Sequence, residues 1–136
     1  NPSILKNDII LLENQPVLKN PTMKSVQMFL YSYYLLRGIK DIEEDNNKVK
    51  EIKCYMANKK TELINFIDVD VKENIKERIS GIKGNYQKNK KTSIYLTQEI
   101  LKDNKDLLNF FNNNKKKDDL ADAILMTLHY IIKNTK

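Results

Sequence analysis

The apolar positions of this chain change period along its length, and the changes divide it into elements. Asp8-Ile9-Ile10-Leu11-Leu12-Glu13 is an unbroken apolar run, the pattern of a strand buried on both faces, and Pro16 ends it. Asn20-Pro21 marks a helix start, with Asn as N-cap and Pro as first helical residue. Met23, Val26, Leu30 and Tyr33 or Tyr34 then recur at helical spacing to about Arg37, where Gly38 is the natural stop. Residues 41–50 form a charge-rich loop, and Glu51 to Met56 alternates as a second strand with Cys54 in its core. Residues 61–67 and 68–80 read as two short helices.

Gly81 and Gly84 bracket a turn into a basic loop, Asn85 to Lys91, ahead of a helix from Thr92 to Lys102. A helical turn over 105–111 and a polar linker over 112–117 lead into the last and most apolar segment, 117–130. That segment opens with Asp118, Asp119 and Asp122 and continues through Ile124, Leu125, Met126, Leu128, Ile131 and Ile132, which predicts a buried helix. Asp118 or a neighbour suits the role of cap, and Asp119 and Asp122 share a face. Carboxylates at the mouth of a buried helix need a cation between them, and either lysine or a divalent metal fills that need.

Charge adds a second pattern. The 136 residues carry a net +6, and by position this is +3 over residues 1–40, −2 over 41–80 and +5 over 81–136. The most basic third therefore contains the Asp cluster, an arrangement suited to a polyanionic partner. Cys54 is the only cysteine, which excludes an intrachain disulfide and a Cys-rich zinc site. The chain has no apolar run of spanning length, so a soluble intracellular protein of one domain is expected, with no membrane partner.

Among side chains able to do chemistry, His129 falls inside the last helix and reads as a packed or hydrogen-bonded core residue. Tyr31, Tyr33 and Tyr34 suit core or dimer packing better than stacking on bases. Glu13, Asp118, Asp119 and Asp122 remain as a candidate hard-oxygen site for Mg²⁺, with Mn²⁺ able to substitute. The order of Glu13-Asn14-Gln15-Pro16, Lys19 to Lys24, Tyr86 with Lys90-Lys91, and Asp118-Asp119-Leu120-Ala121-Asp122-Ala123 resembles the RuvC-like Holliday junction resolvases of poxviruses and other large DNA viruses. The resemblance covers most of the chain apart from insertions near 40–50 and 62–80.

That resemblance implies an α/β, RNase H-like mixed sheet flanked by helices. It also implies a homodimeric Mg²⁺-dependent endonuclease acting on branched DNA, in a viral replication compartment or host cytoplasm. Glu13, Asp119 and Asp122 would be catalytic metal ligands, Asp118 a supporting one, and Lys91 a catalytic lysine at the scissile phosphate. Tyr86, Lys88, Lys90, Lys91, Lys19 and Lys24 would contact nucleic acid. The family's first carboxylate and N-terminal strands are not in this sequence, so the chain as given is expected to be inactive. Other branched or hybrid nucleic acids, and binding without catalysis, are the alternative expectations.

Overall fold

A computed structural model describes residues 2–41 and 49–135 in two compact units, Asn1–Ala57 and Asn58–Lys136. The charge-rich loop expected over 41–50 falls largely on residues 42–48, outside the described residues.

The first unit contains two strands, β1 (Ile9–Glu13) and β2 (Glu51–Tyr55), paired in parallel from Ile9↔Glu51 to Glu13↔Tyr55. Parallel neighbours need a crossover, and helix α1 (Pro21–Tyr34) lies between them in the chain. Asn20 caps α1 as its sequence indicates: the side chain accepts from the Met23 N–H at 3.2 Å, and Pro21 fills the first turn. The helix does not stop at Gly38. It widens into a π-helical turn over Leu35–Lys40, closed by the Asp41 N–H donating to Leu36 O. Gly38 is buried there, and a Cβ on it would lie 2.9 Å from Val49 Cγ2 and 3.1 Å from Val49 Cβ. Only a residue without a side chain permits this approach.

Three expectations for this unit are corrected. β1 is not covered on both faces, since only Ile10 is buried and Ile9 is exposed. Cys54 is exposed, with its Sγ accepting from Gln27 Nε2 at 2.8 Å. The two strands are also the whole sheet among the described residues, so the mixed RNase H-like sheet is absent and the fold is mainly helical.

The second unit begins with a 3₁₀ segment over Ala57–Asn65, followed by α2 (Val69–Ser80), α3 (Asn85–Ile100), α4 (Lys105–Asn113) and α5 (Lys117–Asn134). Leu63, Ile75, Leu96 and Leu125 form its buried centre, with Ile67, Val71, Tyr95 and Leu128 packed around them. α2 and α3 thus contribute a stripe rather than their whole circumference. This holds for α5 as well: Ala121, Leu125, Met126 and His129 are buried, while Ile131 and Ile132 are exposed. His129 is the packed, hydrogen-bonded residue expected, with Nε2 3.2 Å from Glu62 Oε2. α3 starts seven residues earlier than its apolar pattern indicated, directly after Gly84 at φ 86°. The basic segment from Tyr86 to Lys91 is therefore helical, not a loop.

Two stability measurements test this packing. Leu125→Ala removes a fully buried side chain and should cost about 3 kcal/mol in chemical denaturation. Gly38→Ala should cost on the order of 1 kcal/mol, the overlap with Val49 outweighing the backbone entropy gained. In a Val49→Ala background the same change should be neutral or stabilising. Equal losses in both backgrounds would show that Val49 is not the obstacle.

Candidate functional site

The start of α5 holds the three aspartates, and each is answered by a lysine. Asp118 Oδ2 lies 2.5 Å from Lys90 Nζ on α3. Asp122 pairs with Lys60 of the 3₁₀ segment, whose side chain is only 14% exposed. Asp119 is more exposed and lies 3.7 Å from Lys116, three residues back. The cation required by the carboxylate cluster is therefore supplied by the chain itself, and each acid turns to a different lysine.

This overturns the metal-site expectation. Glu13 stands exposed at the end of β1, in the first unit, while Asp118, Asp119 and Asp122 open α5 in the second. Among the described residues, no group of three or more His, Cys, Asp or Glu side chains is placed to hold a metal ion. The Mg²⁺ or Mn²⁺ cofactor, the hydrolytic role of Glu13, Asp119, Asp122 and Lys91, and the endonuclease reading all depended on that group. None is supported. The capping expectation holds in part: the N-cap position belongs to Lys116, which makes no side-chain cap bond, while the Asp118 carboxyl accepts from the exposed N–H groups of Asp118 and Asp119. Asp118 and Asp119 sit in the first turn, where negative charge complements the helix dipole.

The Lys90–Asp118 pair joins the second turn of α3 to the first turn of α5. Leu96 and Leu125 meet in the same core cluster further along, so α3 and α5 run side by side in the same direction. Both N-termini consequently lie at one end of the unit. Lys90 also approaches Tyr86, with Nζ 5.1 Å from the ring centroid. The hydrogen bond to Asp118, and then that to Tyr86, hold the Lys90 ammonium above the ordinary lysine range. The same bond from Lys90, helped by the backbone N–H groups of Asp118 and Asp119, holds the Asp118 carboxyl below the usual carboxylate range.

Around this joint are lysines without an acidic partner. Lys88 and Lys91 on α3, and Lys115 and Lys117 at the entry to α5, make no ion pair among the described residues. Lys91 and Lys115 are exposed, Lys88 and Lys117 half-buried, and Tyr86 is exposed beside them. Lys115 and Lys117 had read only as linker residues, although their clustering in the sequence was a visible signal. In the first unit, Lys19 is exposed, whereas Lys24 donates to Asn14 Oδ1 at 3.2 Å and to Gln27 Oε1 at 3.1 Å.

No protein-family model matches the chain, and no solved structure matches it. The chain is 32% identical over 123 residues to an uncharacterized protein of Acanthamoeba polyphaga mimivirus. That similarity spans 90% of this chain but only 28% of the relative's length. With a two-stranded sheet and no metal-binding group among the described residues, the resemblance to Holliday junction resolvases is not upheld. Among the described residues, no helix is long and apolar enough to cross a membrane.

The ion pairs carry two predictions. The depressed Asp118 carboxyl contributes stability that is present above its unfolded value near ~3.9 and is lost as pH falls through its folded value. The raised Lys90 contributes stability present below its unfolded value near ~10.4 and lost only above the lysine range. NMR titration of the Asp118 carboxyl carbon should give a midpoint below ~3.9 that rises in Lys90→Ala. An unchanged midpoint would remove the pairing. Asp122→Asn should lower stability by on the order of 1 kcal/mol by leaving the largely covered Lys60 without its counter-charge. A stabilised variant, as expected when mutual repulsion among metal ligands is relieved, would contradict lysine neutralisation.

Proposed function

We propose that residues 58–136 form a nucleic-acid-binding unit that grips the phosphate backbone at the end where α3 and α5 begin. The supporting observation is the Lys90–Asp118 bridge, which fixes the second turn of α3 to the first turn of α5. It brings Lys88 and Lys91 to the same end of the unit as Lys115 and Lys117, while the aspartates there are already occupied by other lysines. The surface offered to a polyanion is thus positive despite three nearby carboxylates. Two helix N-termini reinforce that field. Tyr86 adds an exposed ring beside the lysines, suited to an unpaired base or a sugar face.

Lysine contacts to phosphate position a nucleic acid without reading its sequence. Binding should accordingly tolerate sequence, treat linear duplex and four-way junction DNA alike per site, and weaken steeply with salt. The joint variant Lys88→Glu/Lys91→Glu should bind labelled duplex at least about tenfold more weakly and flatten the salt dependence. Lys105→Glu, at the start of α4 and outside this cluster, makes half that change of charge and should retain nearly all of the affinity, well above what half of the joint variant's loss would leave. If losses simply scale with net charge wherever the substitution is placed, the interface is not at the α3–α5 end.

A further inference from the structure

Helix α3 places one tyrosine where its packing partner has run out. Tyr86, Lys90, Ser93 and Thr97 recur at helical spacing and so lie along one line of the helix. Deep in the unit that line is covered, with Ser93 3% and Thr97 0% exposed. Toward the start of α3, Lys90 on the same line meets Asp118 in the first turn of α5, which begins at Lys117. Tyr86 lies one turn beyond that bridge and is 68% exposed. The ring therefore overhangs the end of a packed helix pair instead of being buried in it.

Its surroundings define what the ring can take. Lys90 Nζ stands 5.1 Å from the ring centroid, and Asp118 holds that ammonium in place. One face of the ring thus has its cation, and the other is left for a stacking partner. Tyr95, the other tyrosine of α3, gives the contrast: Arg78 lies 3.7 Å over its ring, which packs against the buried centre and is used within the unit. From Asn85 to Gln98, α3 contains no acidic residue. Lys83 just before it, and Lys115 and Lys117 at the entry to α5, make no ion pair among the described residues. Asp118, Asp119 and Asp122 are already met by lysines. A flat cation, such as an arginine side chain of another protein, is repelled here, whereas a flat ring borne on a polyanion is attracted.

We infer that this end of the unit takes single-stranded nucleic acid, with an unpaired base stacked on Tyr86 and the flanking phosphates on Lys83, Lys115 and Lys117. The inference rests on the phosphate-gripping reading above and adds the kind of strand. In a duplex each base face is covered by its neighbours, so Tyr86 has nothing to stack on except at an end. Duplex engages the lysines alone, and a single strand engages the lysines and the ring. Every base has a face to offer, so the preference is for unpaired strands rather than for a sequence.

Two single-stranded oligomers of equal length separate the ring from the charges: oligo(dT), and an abasic oligomer with the same phosphates. By fluorescence anisotropy, the protein should bind oligo(dT) about tenfold more tightly than the abasic oligomer, and Tyr86→Ala should abolish that difference. The same variant should leave affinity for linear duplex unchanged. Tyr86→Trp gives a direct readout, since the chain has no other tryptophan. Oligo(dT) should quench its emission, and the abasic oligomer should not. Tyr86 is largely exposed, so both variants should keep the far-ultraviolet circular dichroism of the parent. Equal affinity of the parent for the two oligomers, or a Tyr86→Ala loss shared by duplex and single strand, overturns the inference and leaves the phosphate reading standing. If Lys88→Glu/Lys91→Glu leaves binding of the abasic oligomer unchanged, the phosphate reading fails and this inference falls with it.

Discussion

Three carboxylates within five residues at the start of a helix form a costly arrangement, and the second unit is built around the way it is neutralised. Asp118 reaches across to α3, Asp122 to the 3₁₀ segment and Asp119 to the residues just before its own helix. The first two bonds tie two elements, α3 and the 3₁₀ segment, to one end of α5. The buried centre formed by Leu63, Ile75, Leu96 and Leu125 joins the unit further along. Apolar burial supplies most of the driving force in such a unit, but it is not directional. The lysine pairs help to fix how α3 and α5 are aligned along their lengths, because sliding one helix by a turn would separate Lys90 from Asp118 by about 5 Å.

The same pairing changes what the surface presents. A carboxylate cluster left open would repel a polyanion and attract a divalent cation. With its charges met by lysines, it contributes little field of its own, and the neighbouring lysines dominate. The acidic residues are thus structural in a basic surface. Their presence in the most basic third of the chain, which first suggested metal chemistry, follows from the need to dock two helices where lysines are abundant.

Local signals in the sequence translated well. Asn20-Pro21 started α1, the alternation at Glu51–Tyr55 gave β2, and the apolar spacing after Asp122 gave α5. What failed depended on contacts distant in sequence. Lys90 and Asp118 are 28 residues apart, and nothing local indicates that the two will meet. The Lys-rich segment before Thr92 read as a loop because its glycines and charges outweighed its apolar content. Lys and Gln nevertheless accept helical geometry readily, and Gly84 turns the chain straight into α3. Sheet size was misjudged for a similar reason: an apolar run at Ile9–Leu12 announces a strand but not how many neighbours it acquires.

Gln27 gives α1 an uncommon distribution of structural importance. Its amide reaches β2 through Cys54 and the segment after β1 through Gln15, and it also engages Lys24. A hydrophobic residue of equal size would bury well at that position but leave the Gln15 N–H and the Lys24 ammonium without this acceptor. Phe29, by contrast, stands largely outside the unit's own packing. Selection for a folded monomer would therefore guard a polar position on this helix more closely than its apolar ones. Drift in sequence along α1 would then be constrained most tightly at Gln27, the residue that makes its contacts to the rest of the unit.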